Sequence, residues 1–110
     1  MAVTPKRLIA SQFLSGAAAT YYTATNCKAR VDSFTLTNTD TVAVPVTVYI
    51  IAAGGTASAD ETIISAKSLA AGECYTCPEM MGWLESGEFV QAFAGTANKV
   101  VIRSTGIEST

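Results

Sequence analysis

Residues 44 to 51 read Val-Pro-Val-Thr-Val-Tyr-Ile-Ile, and this octet constrains the fold more than any other part of the chain. Val44, Val46, Val48 and Ile50 recur at every second position. That spacing places them on one face of an extended strand and on no single face of a helix. Thr47, Tyr49 and Ile51 fall on the opposite, mixed face. Pro45 has no N–H to give to a neighbouring strand, so it belongs near the start of this one or on a sheet edge.

The same logic extends to the flanking segments. In KARVDSFTLTNT, Val31 has one parity and Phe34 and Leu36 the other. A β-bulge near Asp32 and Ser33 would turn all three inward. Leu8 to Leu14 reads as an edge strand, followed by a turn through Gly16 and Ala17 to Ala19. Further strands are expected at Thr62 to Leu69, Cys74 to Cys77, EFVQAFAG and KVVIRSTGIE. The joints between strands carry turn chemistry: Gly54-Gly55, then LAAGE at Leu69 to Glu73 and its echo LESGE at Leu84 to Glu88.

No amphipathic helical period competes with these strands. Seven or eight short antiparallel strands, about 8 to 15 residues apart, predict an all-β fold: a single β-sandwich, jelly-roll-like, with one core. Val31, Phe34, Leu36, Val44, Val46, Val48, Ile50, Leu69, Leu84 and Phe93 are the expected core residues. With 110 residues there is room for one such domain, of radius of gyration about 13 Å. Residues 1–15 are expected to form an N-terminal arm or edge strand and residues 16–110 the sandwich.

Composition narrows the function. Hydrophobic residues make up 49% and charged residues 15%, too apolar for a disordered chain. The net charge is −2, and the seven basic residues, from Lys6 and Arg7 to Lys99 and Arg103, are scattered, so no nucleic-acid footprint is expected. Acidic residues lean towards the second half, which reads as a solvated surface. No apolar run reaches the ~20 residues of a membrane span, and the start MAVTPKRLIA lacks a long apolar signal core, so a soluble product made in the cytoplasm is expected, with no membrane partner.

There is no histidine, which removes the commonest general base, the Ser-His-Asp and Cys-His nucleophile systems and every His-containing metal site. Cys74 and Cys77 form a C-x-x-C, but only Cys27 remains and a closed zinc site needs four ligands. Residues three apart in a strand also point to opposite faces. Small buried hydrophobes are the favoured reading of these cysteines, with a bridge from Cys27 as the alternative. Asp60 with Glu61 and Glu85 with Glu88 lie in turn-like segments without a calcium-loop pattern. The expectation is therefore a non-enzymatic protein using no cofactor and no metal.

What remains is contact surface. The segment PEMMGWLESG holds Met80, Met81 and the single tryptophan, Trp83. Met is adaptable and Trp is enriched where proteins meet. A plug at one end of the core competes with that reading. Tyr49 and Ile51 on the second face of the central strand, and Leu8, Ile9 and Phe13 of the N-terminal arm, complete the candidate interface. The arm would act as a tether by adding a strand to a neighbour's sheet.

The quoted segments also resemble a known group. Thr20 to Ala24 (TYYTA), Val31 to Thr39, Val46 to Tyr49 (VTVY), Gly54-Gly55, Ile63 to Glu73 and Val100 to Glu108 together resemble the pattern of small virion proteins of tailed bacteriophages. The similarity covers most of the chain, and the cysteines lie outside it. The resemblance implies a β-sandwich on a phage particle, made in the bacterial host cytoplasm and often multimeric, as a dimer or trimer. It further implies a capsid decoration or cement protein on the capsid surface, with the major capsid protein or another virion protein as partner. The alternatives are a neck, collar, tail or tail-fibre component, or a carbohydrate-binding adsorption module. That module would need an aromatic platform, for which Tyr21, Tyr22, Tyr49, Tyr75 and Trp83 are the candidates.

Overall fold

A computed structural model of the chain describes residues 3–110. Nine strands are present among them: β1 Val3–Phe13, β2 Ala19–Thr23, β3 Lys28–Asn38, β4 Val44–Ile51, β5 Thr62–Leu69, β6 Cys74–Thr76, β7 Gly82–Leu84, β8 Phe89–Ala94 and β9 Val100–Ser109. The only helical pieces among the described residues are two 3-10 turns, Ala59–Glu61 and Pro78–Met80.

The strands form two antiparallel sheets. The first runs β1-β9-β3-β6, with β7 also paired to β3, and the second runs β2-β8-β4-β5. The short strands β6 and β7 share one side of β3, β6 opposite Thr35 to Thr37 and β7 opposite Ala29 to Val31. They are two halves of one edge, interrupted by the Pro78–Met80 turn. Counted so, each sheet has four strand positions. Buried residues of both sheets, such as Phe34, Leu36 and Ile102 from the first and Val46, Val48 and Ala92 from the second, form one cluster. The fold is all-β, two sheets packed on a common core as a β-sandwich, with a radius of gyration of 13.5 Å.

Several expectations hold at residue level. The register of β3 against β9 shifts between Val31 and Ser33, so the bulge lies where the parity of the sequence breaks. Val31, Phe34 and Leu36 all face inward as a result, and Val44, Val46, Val48, Leu69 and Leu84 join them.

Others are corrected. Phe93 is half-buried and sits on the outer side of its sheet, its ring centroid 6.3 Å from that of Tyr49. The inward residues of β8 are the smaller Val90, Ala92 and Ala94, which leave room for the larger side chains of the opposing sheet. Ile50 is only half-buried at the margin of the core, while its neighbour Ile51 is fully buried. Ile51 lies on the outer face and is sealed there by the chain itself. A Cβ added to Gly55 would lie 3.3 Å from Ile51 Cγ2, so the Gly54-Gly55 turn folds back onto it. On the same face Thr47 is buried, with its Oγ1 accepting the Ala66 N–H at 3.0 Å. The second face of the central strand is therefore largely covered, not free apolar surface.

In the N-terminal segment the pairing agrees with the edge-strand reading, and it is the detached tether that is corrected. Strand β1 is an edge of the first sheet and pairs with the chain's own β9. Register shifts on both sides of Ile9 let two consecutive residues, Leu8 and Ile9, turn inward, and both are buried with Leu14 in the common core. A tether that detached residues 3–14 would strip those three side chains from the core. Met1 and Ala2 of the expected arm lie outside the described residues.

Candidate functional site

The Met-Met-Gly-Trp segment is where the chain departs most from plain sandwich geometry, and one turn divides its side chains. Pro78 begins the 3-10 turn, since its fixed φ suits a first helical position. The turn drives Met80 into the core, where it is 1% exposed, so the core plug is the correct reading for this residue. Met81 and Trp83 stay outside at 47% and 53% exposure. Among the candidate interface residues, then, Leu8, Ile9, Ile51 and Met80 are buried within the chain and offer no exposed apolar surface. Tyr49 is half-buried, and Phe13, Met81 and Trp83 are exposed.

Trp83 is held from one side. It stands opposite Arg30 across the β7–β3 pair, and the guanidinium lies 5.9 Å from an indole ring centroid. Arg30 is itself pinned, its Nε donating to Asp32 Oδ1 at 2.8 Å. Two clefts that share lining residues lie at one end of the sandwich, and the indole lines the smaller. One, of about 270 Å³, is lined by Lys28, Trp83, Glu85 and Ser109. The other, of about 440 Å³, is lined by Asn26, Cys27, Lys28, Ser86, Ser109 and Thr110. Lys28 and Ser109 border both. Two turns frame this end: Gly87 N donates to Ala24 O at 2.7 Å and Ala24 N to Glu88 O at 2.9 Å. Across the opening Lys28 Nζ lies 3.5 Å from Glu85 Oε1.

The two open sides of the sandwich carry similar polar clasps. Where β1 meets β2, the Tyr22 hydroxyl of the second sheet donates to the Glu108 carboxylate of the first, and Lys6 Nζ donates to the same carboxylate at 3.2 Å. Where β5 meets β6, Lys67 Nζ lies 4.5 Å from the Tyr75 ring centroid, and the Tyr75 hydroxyl donates to Glu79. Burial first, and then the bond to Glu108, raises the Tyr22 phenol well above its ordinary value. That same bond, with Lys6 adding, holds the Glu108 carboxyl below its ordinary value. On the other side, the bond to Glu79 and then burial push Tyr75 up to about 12.

The first clasp makes stability depend on pH with a definite sign. A carboxyl depressed in the folded state contributes stability that is present above its unfolded pKa of about 4.3 and is lost as pH falls through the lower folded value. A raised phenol contributes below about pH 10 and ceases to do so in strong alkali. Tyr22→Phe is expected to cost about 1–2 kcal/mol at neutral pH. It should also flatten the loss of stability between neutral pH and about pH 3. Urea midpoints of both proteins at the two pH values check this, and an undiminished acid loss in the variant would contradict the clasp.

The cysteines separate by face, as residues three apart in an extended segment should. Cys74 is exposed, while Cys77 and Cys27 are buried, and all three are free thiols. Burial pushes the Cys77 thiol up to about 12, so at neutral pH it is not a thiolate nucleophile. Among the described residues no three His, Cys, Asp or Glu side chains gather as a metal site. Of the aromatic candidates, Tyr22 is buried, Tyr21, Tyr49 and Tyr75 are half-buried, and Trp83 alone offers an exposed face beside a cleft. Sequence reasoning singled out Trp83 but missed Lys28 and Ser109, which line its cleft, and Asn26 and Ser86, which line the adjoining one, because they lie on three separate stretches of chain. No protein-family model matches this chain, and comparison with curated proteins and with solved structures finds no match either.

Proposed function

We propose that the chain is a non-catalytic structural component of a tailed-bacteriophage virion, a decoration or cement protein bound to the capsid surface by lattice contacts. The observation that carries this reading is the strand order. With β6 and β7 counted as one interrupted strand and the strands renumbered one to eight along the chain, the sheets run 1-8-3-6 and 2-7-4-5. This is the order a jelly roll produces when a long antiparallel ribbon wraps into two sheets, an architecture used by viral capsid and lectin domains. Fold does not imply function, so the resemblance to small phage virion proteins and the chemistry of the surface have to supply the rest.

The surface supports a contact role at the β1 edge. This strand runs 11 residues with its outer side unpaired, and it exposes Val3 at 57% and Phe13 at 48%. Pro5, Lys6 and Arg7 guard its first half against indiscriminate strand addition. The second half, Ala10 to Phe13, carries no charge. A lattice repeats a weak contact many times, so avidity can hold a protein of modest single-site affinity. A dimer or trimer on the capsid would need about 800 Å² per copy for a stable interface.

The test uses particles of the phage that encodes the chain, purified and analysed by mass spectrometry and by immunogold labelling. Stoichiometric presence with label over the heads supports the proposal, and Phe13→Asp should then lower occupancy while leaving the urea midpoint near that of the parent. Label confined to the neck, collar or tail would replace the capsid reading with that alternative, and absence of the chain from particles would overturn both.

A further inference from the structure

We infer that the cleft lined by Trp83, together with the larger cleft that shares Lys28 and Ser109 with it, binds a neutral pyranose sugar, with the indole as its stacking platform. The inference goes beyond the capsid reading and does not depend on it. A pyranose presents an apolar C–H face together with a rim of hydroxyls that both donate and accept hydrogen bonds. A matching site needs an exposed aromatic plane in a fixed orientation, and beside it mixed donors and acceptors without a strong net charge.

Each requirement has a counterpart here. The plane is Trp83, half exposed, with Arg30 against it and Arg30 in turn fixed to Asp32. The rim is hydroxyl and amide: Ser109 borders both clefts, and Ser86 and Asn26 line the larger. Lys28 adds a donor and Glu85 an acceptor, 3.5 Å apart, so their charges compensate. The cleft that Trp83 lines holds about 270 Å³, just under the range of ~300–1,000 Å³ typical of small-molecule sites, and the cleft of about 440 Å³ that shares Lys28 and Ser109 with it extends the space for a ligand stacked on the indole.

Other ligand classes fit less well. A phosphate or other anion would meet a single lysine already facing a carboxylate. A wholly apolar ligand would have to desolvate the serines and Asn26, which costs free energy when their hydrogen bonds are not replaced. A metal ion lacks a cluster of ligands among the described residues.

Trp83 is the single tryptophan of the chain, so its fluorescence reports on this site alone. The full chain is titrated separately with N-acetylglucosamine, glucose, galactose, mannose and rhamnose, and backbone amide shifts are followed in parallel. At least one sugar is expected to saturate the Trp83 signal with a dissociation constant near ~1 mM, and to shift the amides of Lys28, Ser86 and Ser109. Trp83→Ala should weaken that binding at least about tenfold by amide-shift titration, and Trp83→Phe should retain most of it. Because the ring is half exposed, both variants should keep the parent's urea midpoint. No saturable response to any of the five sugars, binding undiminished in Trp83→Ala, or shifts confined to another part of the surface would each overturn the inference.

Discussion

Gly106→Ala is expected to cost about 4 kcal/mol or more, enough to leave much of the protein unfolded or insoluble. Gly106 lies within β9, paired with Val31 of β3 on one side and Lys6 of β1 on the other. A Cβ at this position would stand 1.9 Å from the carbonyl oxygen of Arg30, far inside van der Waals contact, and 3.1 Å from Leu8 Cδ1. The obstructing atom is backbone in the middle of a sheet, and it can yield only if the β3–β9 pairing yields with it. Gly72→Ala is the control. Gly72 has φ +75 in a turn with open space around its Cβ position, so alanine there meets only the left-handed backbone penalty of about 1–2 kcal/mol. Urea denaturation of the two variants should separate them clearly. Equal losses would mean that the close approach at Arg30 is not what requires glycine.

The second large effect is expected at Asn38, the last residue of β3 and fully buried. Its Nδ2 donates to the carbonyl oxygens of Val42 at 2.9 Å, Leu69 at 3.0 Å and Ala70 at 3.2 Å, and its Oδ1 accepts the Asp40 N–H at 2.9 Å. One amide thus satisfies the β3–β4 turn and the end of β5. Asn38→Ala should cost about 3 kcal/mol, since it leaves several buried backbone groups without partners. Asn38→Asp gives a sharper test. Its carboxylate would face three carbonyl oxygens in a buried site, which raises its folded pKa above the unfolded value of about 3.9. A raised group contributes most below its unfolded pKa and progressively less as pH rises through the folded value. The gap between parent and Asn38→Asp should therefore be small at about pH 4 and wide at neutral pH, as read from urea midpoints. A gap independent of pH would refute the buried-amide account.

Neither residue announces itself in the sequence. Asn38 reads as one more polar residue near the end of KARVDSFTLTNT, and Gly106 as a lone glycine in the expected strand KVVIRSTGIE. Their importance comes from Val42, Leu69, Ala70 and Arg30, which only the packed structure brings to them. The candidate site follows the same pattern. Trp83 is legible as a rare, exposed-prone aromatic. Its neighbours Lys28 and Ser109 are plain polar residues, 55 and 26 positions away along the numbering, and they meet it because β7 and β9 both pair with β3.

Local chemistry carried the strand class, the bulge between Val31 and Ser33, the extents of β5 and β8 to within a residue, and the glycine turns between them. Period-two patterning and turn preferences act over a few residues and leave a readable trace. Tertiary structure decided which member of an adjacent apolar pair faces the core. Leu8 and Ile9 both enter because β1 bulges; Ile51 is sealed under its own loop while Ile50 is left at the margin; and Met80 enters while Met81 does not because the 3-10 turn ends at Met80 and the chain is extended from Met81. Adjacent apolar residues have nearly equal transfer free energies, so nothing local distinguishes them. The choice falls to neighbours far away in sequence, as does the pairing of β1 with β9 that makes the N-terminal segment part of the core.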